Sequence, residues 1–306
     1  MKKVGFIYDD IFLKHIPPGW HPENPDRLRG IINTLESSTF SKEVVYIKPV
    51  KATVDELTAI HTKQYVEKVA ATTTGYLDPD TYVSEKSYEA ALYAAGAVAE
   101  AVRRVKAGDI ERAFCAVRPP GHHAEKDRGM GFCLFNNIAI GARVAQSLGY
   151  KRVLIIDFDV HHGNGTEHAF VDDPTVFYFS THQYPQYPGT GGRNDRGRGA
   201  GEGFTMNIPL PPGTGDEEIR GIYNDVLGEV AEKFSPDIVL VSAGYDIYID
   251  DPLADIRVTY EGIMEIARGI NRAASGVPVI YSLEGGYNIN ALSKSVLITI
   301  EELLYD

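Results

Sequence analysis

Cysteine is scarce in this 306-residue chain: Cys115 and Cys133 are the only two. That excludes a disulfide framework or a Cys-rich zinc site and leaves both as packing residues or reduced thiols. No run of about 18 apolar residues occurs, which excludes a long apolar spanning helix. The N-terminal MKKVGFIYDD starts like a strand and lacks the apolar core and cleavage site of a signal peptide. The expectation is a soluble, cytoplasmic protein with no membrane partner. Basic residues are outnumbered, 30 Lys and Arg against 42 Asp and Glu, for a net charge of -12. Nucleic acid or anionic lipid is therefore excluded as the main partner, whereas a cationic substrate would be drawn to the surface. No linker, repeat or low-complexity stretch divides the chain, so residues 1–306 read as a single domain large enough to bury a sizeable core.

What is present centres on Arg152–Phe170, RVLIIDFDVHHGNGTEHAF. Val153, Leu154, Ile155 and Ile156 form a continuous apolar run of the kind that a sheet covered on both faces requires. Asp157, Asp159 and His161 follow at alternate positions and are expected to project together beyond the strand's carboxyl end, where open parallel sheets bind ligands. A strand that trades aliphatics for Asp and His suggests a metal site. Gly163, Asn164 and Gly165 supply a turn, and Thr166 is placed to cap a short helix ending near Phe170.

Along the chain, strands are predicted at 3–8, 44–48, 113–117, 176–180, 204–210, 238–241 and 277–283, besides the central one. Helices are predicted from Asn24, over 54–69, from a Ser84 cap to about Lys106, and over 136–148, 216–233, 259–274 and 289–304. The count is about eight strands interleaved with helices, the alternation of a mainly parallel α/β sheet. Between them lie a stiff Pro-rich loop at 15–29, a turn-rich segment at 75–81 with Asp78 and Asp80, and a long Gly, Pro, Tyr and Arg loop at 181–202.

Asp159, His161 and Asp246 offer two oxygen donors and one imidazole, a set that suits a divalent ion with an open position; zinc fits, and ferrous iron or cobalt is not excluded. His122 and His123, in a rigid Arg118-Pro119-Pro120-Gly121 loop, supply a base, because imidazole titrates near neutrality. Tyr287, in a Gly-Gly-Tyr turn, is placed to donate its hydroxyl to a tetrahedral oxyanion. Together these parts make a hydrolase for an amide or ester.

The stretches Arg118–Ala124, Gly131-Phe132-Cys133, Asp157–Thr166, Ser242–Asp246 and Leu283–Asn288 resemble the zinc deacetylases. That family comprises histone deacetylases, acetylpolyamine amidohydrolases and acetoin-utilisation proteins, and the Pro-Pro-Gly-His-His form is similar to its class II and bacterial branches. The likeness runs from His21 to the final strand. It implies a three-layer arginase-like fold with an eight-stranded mainly parallel sheet, and zinc held by Asp159, His161 and Asp246. It implies His123 as general base and acid, His122 as an electrostatic partner paired with Asp157, and Tyr287 as the oxyanion donor. Asn164 stands where class I members orient the base with Asp. A structural potassium ion is implied at Asp157, Ser180 and Thr181, with the carbonyls of Asp159 and His161. Phe132, after Gly131, and Tyr187 resemble the walls of an acyl-lysine tunnel, the second wall being Phe more often in the family. Asp80 or Asp78 is implied as a substrate contact. Leu253 stands where a polyamine-specific member carries a gatekeeping Glu.

The reading is a deacetylase acting on acetyl-lysine in protein or peptide, giving acetate and free amine. Acetylpolyamine hydrolysis is its main rival. An arginase-type dimanganese hydrolase would need more carboxylate and His ligands. A non-catalytic module that binds acetylated ligands could have lost Tyr287 or a histidine, yet all are present. A homo-oligomer is compatible with the sequence.

Overall fold

An apolar run with no polar face to give to water needs cover on both sides, and Val153–Ile156 has it: all four residues are fully buried. The computed structural model describes residues 2–306. In chain order, β1 (Val4–Ile7), α1 (Asp26–Glu36), β2 (Val45–Ile47), α2 (Val54–Thr58) and α3 (Lys63–Ala71) lead to a hairpin of β3 (Gly75–Tyr76) and β4 (Tyr82–Val83). Then come α4 (Ser87–Ala107), β5 (Arg112–Cys115), α5 (Asn137–Ser147), β6 (Val153–Asp157), α6 (Asn164–Phe170), β7 (Val176–Gln183) and β8 (Thr205–Leu210). The last third is α7 (Asp216–Gly221), α8 (Leu227–Phe234), β9 (Ile238–Ala243), α9 (Tyr260–Ala274), β10 (Val279–Leu283) and α10 (Ile289–Tyr305).

Eight of these strands form one sheet in the order β2-β1-β5-β10-β9-β6-β7-β8. Every neighbouring pair in it is parallel, so the sheet is wholly rather than mainly parallel. One group of helices packs in succession as α1, α10, α9 and α8; α4 packs on α5, and α5 on α2. Both α4 and α10 meet β1 and β5. Four consecutive strands of the sheet, β5, β10, β9 and β6, have their carboxyl ends side by side, which brings loops far apart in sequence to one place. Among the described residues no helix is long and apolar enough to cross a membrane.

The structure departs from the sequence-based elements where a side chain found a better use than helix continuation. The helix expected over 54–69 is two, because Thr62 caps α3 by accepting from the Tyr65 amide and His61 is drawn inward to the Glu125 carbonyl at 2.9 Å and the Asn136 amide at 2.9 Å. The helix expected over 216–233 is interrupted by a π turn at Ile222–Val226. Ser84 does not cap α4; its amide donates to the Ser87 hydroxyl at 2.7 Å, and that hydroxyl also bonds buried His15 at 2.6 Å. Thr166 lies inside α6, which starts at Asn164, and its hydroxyl accepts from Asn136 at 3.1 Å instead of capping. Cys115 and Cys133 are buried and unbridged.

The Pro-rich loop is fixed by a buried ion cluster. Glu23, Arg27 and Arg118 are all fully buried. The Arg118 guanidinium meets both Glu23 oxygens, with 2.7 Å to Oε2, and also donates to the Phe12 carbonyl at 2.9 Å and the His15 carbonyl at 3.0 Å. Arg27 shares Glu23 Oε1 at 3.2 Å. Although burial favours the neutral acid, the neighbouring Arg118 holds the Glu23 carboxyl well below the usual carboxylate range. A group depressed in this way stabilises the fold above its unfolded pKa and stops doing so as pH falls through its folded pKa. Arg118→Met, which removes the main partner of a buried carboxylate and leaves it only one guanidinium, Arg27 at 3.2 Å, is expected to lose about 3–5 kcal/mol in urea unfolding at neutral pH. The advantage of the wild type over Glu23→Gln should hold above the ordinary carboxylate range and shrink progressively as pH falls below it; an advantage independent of pH would show that Glu23 is not charged in the fold.

Candidate active site

The loops after β5, β6, β7, β9 and β10, with the turn between β3 and β4, carry the residues singled out in the sequence. His122, His123, His161, Phe132, Tyr187, Leu253, Asp80, Gly131 and Tyr287 line one cavity of about 220 Å³. Clefts of about 570 and 810 Å³ lie elsewhere, between α8 and α9 and along β8, but neither gathers these groups. Volume alone does not locate the site; convergent titratable groups do.

Beyond Asp157, the last residue of β6, the chain turns so that alternate side chains take different surroundings. Asp159 Oδ1 and Asp246 Oδ2 both lie 3.1 Å from His161 Nδ1. The second oxygen of each carboxylate is held by backbone: Gly285 N–H donates to Asp159 Oδ2 at 2.8 Å, and Val160 N–H to Asp246 Oδ1 at 3.0 Å. Asp157 does not join them, contrary to the expectation that the three project together. Its Oδ2 faces His122 Nδ1 at 3.1 Å and the Tyr178 hydroxyl at 3.1 Å, and its Oδ1 accepts from the Asp159 amide at 3.1 Å.

Asp159, His161 and Asp246 offer ligand atoms that all lie within 4.8 Å of one another. Asp246 Oδ2 is buried and accepts no hydrogen bond despite its nearness to His161. A methyl group at Gly285 would come within 2.1 Å of that oxygen and 2.6 Å of Asp159 Oδ2, so glycine keeps the space beside both carboxylates clear. Burial and the Asp159 charge push the Asp246 carboxyl up to about 7. Two crowded carboxylates and an imidazole, one oxygen lacking a donor, are a donor set that fits a divalent metal ion.

The two tandem imidazoles are set differently. Burial works against a charge on His122, but Asp159 and Asp157 outweigh it and raise the group to about 10. Its Nδ1 is 3.1 Å from Asp157 and its Nε2 3.8 Å from Asp159, so both nitrogens face carboxylates, as an imidazolium requires. His123 goes the other way, held well below the ordinary range by burial and then by His122 and His161. Its Nδ1 lies 2.8 Å from Asn164 Oδ1, while Asn164 Nδ2 donates to Glu125 Oε1 at 2.6 Å. Glu125 thereby fixes which end of the amide faces His123. A carbonyl oxygen only accepts, so His123 carries its proton on Nδ1 and keeps the Nε2 lone pair.

Gly131 and Phe132 both adopt positive φ, 56° and 68°. Glycine is required at 131 on a second count, because a Cβ would lie 2.3 Å from His123 Cδ2. Asp80 accepts from the Gly131 amide at 3.1 Å and Thr81 from the Phe132 amide at 3.1 Å, so Asp80 braces the wall as well as lining the cavity. The Phe132 and Tyr287 rings meet edge to face at 6.0 Å, and Tyr187 stands 5.2 Å from the His123 ring. Asp157, Ser180, Thr181 and Asn164 are buried outside the cavity lining; Asp157 and Ser180 are register partners on β6 and β7. The Ser180 hydroxyl bonds His182 Nδ1 at 2.9 Å and that of Thr181 bonds Tyr223 at 2.9 Å.

Sequence reasoning missed Gln186, Pro120 and Gly285 in the lining, and two groups behind it. Glu284 is fully buried and accepts from the Gly121 amide at 2.6 Å, the His122 amide at 3.2 Å and the Ser242 hydroxyl at 3.1 Å. Arg27 donates to the carbonyls of Glu284 and Gly286 at 2.6 and 2.7 Å, with its guanidinium 5.1 Å from the Tyr287 ring. An acid ending an apolar strand before two glycines was the available signal for Glu284; Arg27 had none beyond its place in a Pro-rich loop.

With this geometry in place, the relatives are informative. The family model described as the histone deacetylase domain matches residues 21–303. The chain is 42% identical to Histone deacetylase 14, chloroplastic, of Arabidopsis thaliana, over 93% of this chain and 73% of that protein. It is 37% identical to a probable deacetylase of Archaeoglobus fulgidus, over 94% and 82%. With Arabidopsis thaliana Histone deacetylase 5 it shares 39% identity over its whole length, yet spans only 49% of that protein. The crystal structure of the HDA15 HD domain superposes with a TM-score of 0.93 at 38% identity, covering 99% of this chain and 91% of that one.

Replacing Asn164 with Asp should raise the His123 pKa, because an anion beside an imidazole favours its charged form. The acid limb of a rate-against-pH profile on an acetylated substrate should then move upward by about one pH unit or more. An unmoved limb would mean that His123 is not the group titrating there.

Proposed function

The chain belongs to the histone deacetylase domain family, and on that premise we propose that it is a zinc-dependent amidohydrolase that removes the acetyl group from lysine side chains of peptides or proteins. The observation that supports this best is the shared cavity, where the His123 imidazole, the His161 imidazole beside two carboxylates and the half-buried Tyr287 phenol all face the same space. A zinc ion held by Asp159, His161 and Asp246 would supply Lewis-acid polarisation of the acetyl carbonyl and of water. A structural potassium ion is proposed at Asp157, Ser180 and Thr181 with the carbonyls of Asp159 and His161.

The protein's own groups divide the remaining work. His123 takes a proton from the attacking water at Nε2 and returns it to the leaving amine, which departs as the free lysine amine with acetate as the other product. His122, with its Nδ1 facing Asp157 and its Nε2 toward Asp159, supplies positive charge beside the reacting carbonyl. Tyr287 donates its hydroxyl to the oxygen that becomes negative. Phe132 and Tyr187 flank the lysine methylenes and keep water from them, and Gly131 lets the Phe132 wall lie close to His123.

Acetylpolyamine hydrolysis is the second reading, favoured by the Asp80 carboxylate in the lining and by the net charge of -12. Leu253 argues against it, since an apolar side chain in the lining offers nothing to a distal ammonium. Rates measured side by side on an acetyl-lysine peptide and acetylspermidine decide between them, and binding without release of acetate would leave only a ligand-binding module.

Tyr287→Phe is expected to lower kcat on an acetyl-lysine peptide by about 100-fold or more, the usual cost of an oxyanion donor. Unchanged turnover would remove that role. Chelation should abolish acetate release, with recovery at about one equivalent of zinc per chain. Better recovery with ferrous iron or cobalt would reassign the metal, and a requirement for two ions per chain would favour a dinuclear hydrolase.

A further inference from the structure

The turn that presents Tyr287 is held at nearly every backbone polar group, and the holders are not equivalent. Glu284 N–H donates to the Ala243 carbonyl at 2.9 Å and the Gly285 carbonyl accepts from the Tyr245 amide at 3.1 Å, so β9 steadies the start of the turn. Asp159 takes the Gly285 amide, and Arg27 takes the Glu284 and Gly286 carbonyls. None of these reaches the amide of Tyr287 itself. That amide donates to Asp251 Oδ2 at 2.7 Å, and the next one, of Asn288, to the same oxygen at 3.3 Å.

The other oxygen of Asp251 faces the cavity rim. Oδ1 accepts from the Leu253 amide at 3.0 Å, and the Leu253 carbonyl accepts from Gln186 Nε2 at 3.2 Å. Leu253, Gln186 and Tyr287 all line the cavity. Asp251 is 7% exposed, and among the described residues no Lys, Arg or His lies within 4.0 Å of its carboxylate. Burial raises its pKa while the three backbone donors oppose that rise. A buried carboxylate with only amide partners costs stability unless every donor is kept in place, so the geometry of its three amides is narrowly set.

We propose that Asp251 is a positioning residue that couples the rim at Leu253 to the phenol of Tyr287, so that one carboxylate sets both the fit of the substrate and the placing of the oxyanion donor. The proposal rests on the role given to Tyr287 above. Asp251 touches no reacting atom. It acts through the two segments that it ties together, and a displacement of Tyr287 by about 1 Å would cost a large part of its effect on rate.

Asp251→Asn tests this, because the amide keeps the shape but presents one acceptor oxygen and one NH2 group to donors on both sides. On an acetyl-lysine peptide, kcat should fall about tenfold or more and KM should rise. In a Tyr287→Phe background the further loss of kcat should shrink to less than about twofold, while the rise in KM, which comes from the Leu253 side, persists. A loss of kcat as large in that background as in the wild type would overturn the coupling, as would wild-type kcat in Asp251→Asn. If Tyr287→Phe alone turns over normally, both this proposal and the oxyanion role fall; if it is impaired and Asp251→Asn is not, only this proposal falls. Should Asp251→Asn not fold, amide hydrogen exchange on the wild-type protein decides: the Leu253 and Tyr287 amides should be protected alike, and exchange of either at the rate of an exposed amide would overturn the cross-tie.

Discussion

Crowding of negative charge in a dry place is the constraint on which this architecture depends. Asp157, Asp159 and Asp246 are each no more than 1% exposed and meet at the carboxyl ends of neighbouring strands. Carboxylates so placed repel one another and have lost their water, so each must find donors or an opposite charge. Backbone amides reach both oxygens of Asp159, from Gly285 and His161, and one of Asp246, from Val160, and what remains is directed at His122 and the His161 ring. An imidazolium at His122 and a dication among Asp159, His161 and Asp246 would balance the three charges. The electrostatics that make the cluster tolerable are thus the same that the proposed chemistry uses.

Topology supplies the convergence and a second buried cluster supplies the rigidity. The four central strands lie next to one another although β5 and β10 are separated by most of the chain, so loops distant in sequence share one crevice. Glu23 and Arg118 hold the Pro-rich loop down, and Arg27 reaches from the first turn of α1 to the turn before Tyr287. The turn is therefore clamped from the first helix as well as from the neighbouring strand. The oxyanion role proposed for Tyr287 needs this, because a donor that first has to reorganise gives back much of its electrostatic advantage.

The parts legible in the sequence were those whose chemistry is local. The aliphatic run of β6, the acids and histidines that follow it, and the Gly-Gly-Tyr turn each carry their meaning in a few adjacent letters, and alternation of strand and helix was enough for a parallel sheet. Helix interruptions were not legible, because His61 leaves the helical path for partners at Glu125 and Asn136 that lie far along the chain. Nor was Glu125, an acid in a polar loop until α6 brings Asn164 to it. Asp251 was not legible either, since a carboxylate that accepts from backbone amides has no partner residue type to search for.

The amide at Asn164 fits the same economy of charge. A carboxylate there would add a further buried anion beside Glu125, which lies 2.6 Å from the Asn164 nitrogen and is already paired with His168 at 2.9 Å. It would also draw His123 toward its charged form, while His122 next to it is charged already, with ring centroids 4.0 Å apart. Two adjacent imidazoliums would repel, and a general base must begin neutral. A neutral acceptor fixes the Nδ1 proton and the ring orientation without paying that cost. In the proposed mechanism the pair then divides into a cation held by Asp157 and Asp159 and a base aimed by Asn164, two roles for one residue type set by whether its partner is an acid or an amide.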